Sequence, residues 1–341
     1  MVSCICILLP LLFSSIISTG QELTLGTEIN DFKTPIDMPL ETVISRRMSI
    51  RHFDLDTIVH LELVSKVLWG AYGYSWRGRT VPSFSGYPII IYISNETATY
   101  KFVPENSSLI LWKDGDHKRL GGGVEAPTQL YIVLDTNICP DMLWGNAETG
   151  CMIQNIYLMA NALNLGTVCQ YIRTDIPEGL GLPTNEKILY KMPLGYPLPP
   201  YDNYQNIIQT FRQSSPELPE IQDSKISFED ALNSVFSSHK WSINPITKQE
   251  LSQLLWASYG YSYYEDTAVS PSKRHRTVPS AHAYYPMKIY AANSSGVYEY
   301  LPEQHTLTTI MTEDRRSNIA QASGNTWASS SPLTIALACI F

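Results

Sequence analysis

The apolar positions Leu61, Val64, Leu68 and Tyr72 recur at three- and four-residue intervals, which lines them along one face of an α-helix over 61–72. Residues 251–259 repeat that spacing. Residues 87–93 are a run rich in Tyr and Ile, and 99–103 follow after an Asn95-Glu96 turn. A third apolar run covers 129–134, and all three read as strands. Residues 148–164 predict a long helix with Ile153, Ile156, Leu158 and Ala160 among its apolar positions. Strands mixed with long helices indicate an α+β fold.

These elements come in two sets. Trp69-Gly70-Ala71-Tyr72-Gly73-Tyr74 returns as Trp256-Ala257-Ser258-Tyr259-Gly260-Tyr261, and Arg79-Thr80-Val81-Pro82-Ser83 returns unchanged as Arg276-Thr277-Val278-Pro279-Ser280. Tyr87-Pro88 matches Tyr285-Pro286, and Tyr100 with Pro104-Glu105 matches Tyr298 with Pro302-Glu303. The order is kept while the spacing widens from 187 residues at the first tryptophan pair to 198 at the last pair. Conserved order at drifting spacing is the signature of a tandem duplication. The expected layout is a first domain at 21–200, a Pro-rich linker at 201–224 and a second domain at 225–341. Residues 332–341 correspond to the strand that begins near Pro127, so the second copy has no counterpart of the long helix.

Before the first set, residues 1–20 carry no charge and end in Ser18-Thr19-Gly20, which resembles a secretory signal peptide cut before Gln21. A secreted chain is therefore expected. No later stretch reaches transmembrane length. Asn95-Glu96-Thr97, Asn106-Ser107-Ser108 and Asn293-Ser294-Ser295 are glycosylation sequons that matter only if the chain is exported. The later cysteines Cys139, Cys151, Cys169 and Cys339 form no C-x-x-C pair and lack histidines at zinc-ligand spacing, so no metal site is expected. One or two disulfides, or four small buried hydrophobes, fit them equally. With 24 basic against 32 acidic side chains the net charge is −8, and no basic run suits a phosphate backbone. Nucleic acid is excluded as the main partner.

Candidate chemistry begins at Arg46-Arg47-Met48-Ser49-Ile50-Arg51, where guanidinium forks flank a hydroxyl as phosphate recognition requires. The Arg-Thr-Val-Pro-Ser turn follows, then Gln154-Asn155 on the long helix and Leu163-Asn164-Leu165-Gly166-Thr167 at its end. Leu194-Gly195-Tyr196-Pro197 closes the set. Gly121-Gly122-Gly123 opens no helix after a strand and reads as a turn. His282, in the second turn, is a candidate to face a ligand.

In this order the motifs resemble the nitroreductase superfamily of FMN proteins, in particular its SagB-type dehydrogenase and oxidase branch. The resemblance covers roughly 40–200 fully and 238–341 in part. It implies a nitroreductase-like α+β fold in which two tandem copies form an intrachain pseudodimer with FMN at the interface. Arg47, Ser49 and Arg51 would then grip the flavin phosphate and ribityl chain. The segment with Gly166, Thr167, Gln170 and Tyr171 would lie along the isoalloxazine, and Pro279 and Ser280 would cover it from the second copy. Copy two carries Lys240-Trp241-Ser242-Ile243-Asn244 in place of the arginine motif, so one FMN per chain is expected. The resemblance further implies an oxidoreductase acting on a small organic or peptide substrate. Cys169-Gln170-Tyr171 stands where the family often has Gly-Gly, and the basic residues usual after the closing motif are replaced by Leu198-Pro199-Pro200. Those departures keep open a second reading, a non-catalytic descendant that serves as a binding or structural module.

Overall fold

The computed structural model describes residues 22–24, 37–172, 176–199, 201–202, 208–210, 213–238, 240–242, 244–265 and 274–340; the signal expected at 1–20 lies outside them. Chain order runs β1 (Glu22–Thr24), α1 (Leu40–Arg46), α2 (Leu61–Tyr72), β2 (Tyr74–Ser75), β3 (Gly78–Arg79), β4 (Ile89–Ser94), β5 (Ala98–Val103), β6 (Ser108–Asp114) and β7 (Thr128–Asp135). Next come α3 (Met142–Ala162), β8 (Gly166–Thr167), β9 (Gln170–Tyr171), α4 (Ile176–Leu180) and β10 (Glu186–Gly195). The remainder holds β11 (Ile208–Thr210), α5 (Phe228–Asn233), α6 (Lys248–Tyr259), β12 (Tyr261–Glu265), β13 (Arg274–Arg276), β14 (Met287–Asn293), β15 (Gly296–Leu301), β16 (Thr306–Met311), α7 (Arg316–Ala322) and β17 (Thr334–Cys339).

The larger sheet is antiparallel in the order β1-β6-β5-β4-β7-β10-β8, with β9 also on β10. Its centre is β7, where Leu130 to Leu134 are wholly buried, and a strand covered on both faces needs such an unbroken apolar run. Helix α3 packs on α2 with Met152, Ile156, Met159 and Ala160 shut off from solvent. Gly70 permits that approach, since a Cβ there would lie 2.7 Å from the Met159 methyl. The smaller sheet, β16-β15-β14-β17, repeats the order β6-β5-β4-β7 and is likewise antiparallel.

Boundaries differ from the sequence reading where local signals were hidden. Helix α3 starts at Met142 instead of near Glu148, because the Asp141 carboxylate caps it by accepting from the Leu143 amide at 2.8 Å. Helix α6 starts at Lys248, three residues before the predicted run, because Thr247 and Glu250 form a capping box. Strand β4 begins at Ile89 and not at Tyr87, whose φ of 60° is incompatible with a strand.

Corresponding residues in the two halves make corresponding bonds. The Trp69 and Trp256 indoles donate to the Tyr74 and Tyr261 carbonyls at 2.8 and 2.7 Å. The Thr80 and Thr277 hydroxyls donate to the Trp69 and Trp256 carbonyls, each at 3.2 Å. Arg79 reaches the Tyr72 carbonyl and Glu105, while Arg276 reaches the Tyr259 carbonyl and Glu303.

The Pro-rich segment is ordered against both halves where it is described. Glu41 on α1 accepts from the Ser224 amide and hydroxyl, both at 2.8 Å, and from the Gln253 side chain at 3.1 Å. Leu218 is fully buried against the core of the smaller sheet and α6. The carbonyl of Pro219 accepts from Ser252 at 2.5 Å, and Ser252 lies 2.7 Å from His305 Nε2. The other ring nitrogen of His305 lies 2.9 Å from the Tyr300 hydroxyl.

Burial holds the His305 pKa below its ordinary 6.5, so the folded chain binds its proton less readily than the unfolded chain does. Stability is therefore expected to fall as pH drops below about 6.5, the unfolded histidine value. Melting temperatures between pH 7.5 and pH 5 check this, with a shallower decline expected for His305→Gln.

Candidate functional site

Helix α1 ends at Arg46, and the next residues turn the chain across the end of β8. The Ile50 amide donates to the Thr167 carbonyl at 2.9 Å, which ties the arginine motif to that strand. The two backbones can lie this close because residue 166 is glycine: a Cβ there would sit 2.7 Å from Ile50 and 2.9 Å from Phe53. Sequence residues far apart thus meet in one place.

Arg47 is buried, with its guanidinium 5.2 Å from the centre of the Tyr157 ring on α3. Its Nε and Nη2 donate to the Arg276 carbonyl at 3.3 and 3.2 Å, while its Nη1 is buried without a partner. Ser49 shares a hydrogen bond with the Tyr157 hydroxyl at 3.1 Å, and that hydroxyl also accepts from the Cys169 amide at 2.7 Å. Thr167 Oγ1 is a second buried polar atom without a partner. Arg51 is exposed and reaches back to the Ser49 carbonyl at 3.3 Å.

The second half meets this cluster through the turn at 276–280. Gln154 Nε2 donates to the Thr277 carbonyl at 3.0 Å, and Gln154 Oε1 is the third buried atom without a partner. The neighbouring Asn155 makes the matching bond within the first half, to the Thr80 carbonyl at 3.2 Å, and adds one to Gly70 at 3.0 Å. Adjacent amides on α3 therefore grip the two equivalent turns. Pro279 is half-buried, and Ser280 accepts from the Tyr285 amide at 2.9 Å.

The remaining candidates lie further out. Gln170 accepts from the Val124 amide at 3.3 Å and Tyr171 is 83% exposed. His282 is exposed, in left-handed backbone, with its ring 5.5 Å from Tyr284. The loop that leads into the glycine run turns carbonyls inward: buried Lys191 donates to those of Lys118, Leu120 and Gly122 at 2.8, 3.2 and 2.9 Å. Such a loop cradles an ammonium and not a phosphate, and burial brings the Lys191 pKa down to about 8.

Tyr157 and Lys191 escaped the sequence reading. An aromatic on a core helix and a lone lysine in a strand carry no motif. Gln154-Asn155 was legible as a pair, but its division between two turns was not. The four described cysteines are free thiols, and no three metal-ligating side chains converge among the described residues.

Arg47 Nη1, Thr167 Oγ1 and Gln154 Oε1 are each buried without a partner, on residues tied to the arginine motif or to the 276–280 turn by their other bonds. Buried polar atoms ordinarily find partners. That set fits a ligand with an anionic group and a hydroxylated chain, FMN included.

Residues 44–196 match the family model described as the Nitroreductase family. A protein of Methanocaldococcus jannaschii, provisionally named a nitroreductase, is 35% identical over 112 residues, covering 31% of this chain and 52% of that protein. The chain thus spans about half the length of the curated relative it matches. A solved structure from Anabaena variabilis, provisionally described as a nitroreductase, aligns with a TM-score of 0.61 at 14% identity over 82% of this chain and 73% of that one. Another, from Ralstonia eutropha, gives 0.48 at 25% identity over 53% of this chain and 91% of that one. The Anabaena likeness shows a nitroreductase-like mixed α and β fold.

Burial pushes the Cys169 thiol up to about 12, leaving roughly one thiolate in ten thousand at pH 8. Cys339 is exposed. Iodoacetamide labelling at pH 8, read by mass spectrometry, is expected to mark Cys339 well before Cys169.

Proposed function

We propose that residues 44–196 form a nitroreductase-family domain that binds one FMN and works as a flavin-dependent oxidoreductase, with the turn at 276–280 completing its site. The observation that carries this reading is the buried Arg47 guanidinium, which spends two donors on the Arg276 carbonyl and keeps a third unpartnered. Unpaired buried charge is costly, and a phosphate oxygen is the partner its geometry suits.

Bound FMN supplies two-electron hydride chemistry that side chains lack. The chain's own part is to bind and orient. Arg47 and Ser49 would hold the phosphate end, and Thr167 and Gln154 would meet the polar chain. Tyr157 fixes both the Ser49 hydroxyl and the Cys169 amide, so this part of the wall is rigid before any ligand arrives. Cys169 stays a neutral thiol and is no nucleophile. The exposed Tyr171 stands at the outer edge, where a substrate would approach.

The finer reading is a SagB-type enzyme, exported, whose two halves are tandem copies forming a pseudodimer, with a small organic or peptide substrate. The matched sheet orders and the paired bonds at Thr80 and Thr277 support the duplication. Export would separate the enzyme from the cytosolic nicotinamide pool, which favours oxidation of substrate over nitro reduction. A second reading, a non-catalytic module, draws on one observation: the Tyr157 hydroxyl already occupies the Cys169 amide, in the segment expected to face the flavin.

Flavin absorbance of purified protein, with FMN released on denaturation, separates the two; a colourless chain that takes up no added FMN overturns the enzyme. Arg47→Ala is expected to weaken FMN retention at least tenfold, since a charge-assisted bond contributes about 1.5–3 kcal/mol. Lys240→Ala, at an exposed position, is expected to leave it unchanged. Dialysis followed by flavin quantitation gives the answer.

A further inference from the structure

The connection from β6 to β7 is built around one side chain. Lys191 on β10 is 2% exposed, and its ammonium spends all three N–H groups on the carbonyls of Lys118, Leu120 and Gly122. The chain can turn in this way because Gly121, Gly122 and Gly123 all take positive φ, at 73°, 62° and 83°, a region that favours glycine. The Tyr131 hydroxyl adds a bond to the His117 carbonyl at 2.6 Å. In the second half the connection from β16 to β17 contains α7 instead, and there Lys240-Trp241-Ser242-Ile243-Asn244 stands in place of the arginine motif. The lysine-centred loop therefore goes with the half that carries the candidate site.

The loop bears on that site through Gln170. Lys191 and Gln170 are cross-strand partners on β10 and β9, so both side chains leave the sheet on the same face. Gln170 accepts from the Val124 amide at 3.3 Å, and Gly123 lies so close that a Cβ there would come within 2.9 Å of the Gln170 amide nitrogen. Val124 is held in turn by Gln129, which donates to its carbonyl at 3.0 Å. The bond at Gln170 is long, so Gln170 depends on where the loop sits, and the ammonium sets that place. One residue earlier, the Tyr157 hydroxyl accepts from the Cys169 amide. The segment 169–171 is thus pinned by α3 at one residue and by the loop at the next.

We propose that Lys191 is a positioning residue: it holds the glycine loop, and through the loop it fixes the backbone of residues 169–171, along which FMN would lie. Only the last step, to the flavin, rests on the function proposed above. A neutral side chain at 191 would leave three inward carbonyls without their donor, and such a loop relaxes toward water. Gln170 would then lose the surface that stops it, and Cys169 beside it would become easier to reach.

The test uses Lys191→Ala in the full chain, alone, with propylammonium, and with tetramethylammonium. Propylammonium supplies the missing carbons and N–H groups, whereas tetramethylammonium carries the charge without an N–H. In flavin-free protein, iodoacetamide is expected to label Cys169 at least about tenfold faster than in the wild type. Propylammonium is expected to restore the slow rate and tetramethylammonium to leave it fast. In protein loaded with FMN, the visible absorbance band is expected to shift and retention to fall, with the same pattern of rescue. Lys191→Met, which fills the space without donors, is expected to match the unrescued alanine variant and serves if that variant does not fold. Unchanged labelling of Cys169 overturns Lys191 as the holder of the segment. Faster labelling that propylammonium does not slow marks general loosening and overturns it too. Altered labelling with an unchanged flavin band and retention overturns the step to the flavin alone. A wild type that takes up no FMN removes the flavin reading, and the Cys169 rates then decide whether Lys191 holds the segment.

Discussion

Two adjacent amides on α3 organise the molecule. Gln154 holds the Thr277 carbonyl and Asn155 holds the Thr80 carbonyl, so one helical step serves both halves. A buried carbonyl left without a donor costs roughly 1–3 kcal/mol, which makes this sharing a real constraint on where each turn can lie. Arg47 reinforces it by donating twice to the Arg276 carbonyl, one residue away. The candidate site follows from this arrangement. Once α3 and Arg47 fix the Arg276 and Thr277 carbonyls, the turn that carries Pro279 and Ser280 is anchored to the first half, and Arg47 and Gln154 each keep one buried polar atom without a partner.

Order of motifs was legible because each depends on backbone approach or charge at a fixed place. Gly166 is one case, since any side chain would collide with Ile50 and Phe53. Arg47 is another, though only through the motifs that follow it, since the arginine run alone reads first as a solvated basic turn. Packing roles were not legible. Helix α3 begins with Met142, Leu143 and Trp144, and Leu143 is 70% exposed, so no amphipathic stripe announces the start. Lys191 looks like a solvent-facing strand lysine, yet it is buried beneath three carbonyls. Leu218 lies among prolines and acidic residues, a composition that reads as loose linker, while the fold uses it as core.

Rigidity and reactivity are distributed unevenly around the site. Tyr157 ties a helix, a loop serine and the Cys169 amide between β8 and β9 together at one hydroxyl, with Arg47 over its ring. On the far side, Gln170 and Tyr171 make weak or no such ties, and Tyr171 is largely in solvent. A site with one fixed wall and one open edge can hold a cofactor firmly and still admit variable partners.

The segment that enters both halves has a further consequence. Glu41 meets Ser224 and Gln253, the Leu40 and Phe228 amides donate to the Ile226 and Met38 carbonyls, and Arg47 and Gln154 hold the Arg276 and Thr277 carbonyls. Beneath these polar ties Ile221, Phe228, Leu232 and Trp256 are buried in the same apolar core as α2 and α3. On one chain the halves meet at an effective concentration that short tethers bring to about the millimolar range. Covalent continuity thus adds to a seam that is already apolar, and such a seam would face water if the halves parted.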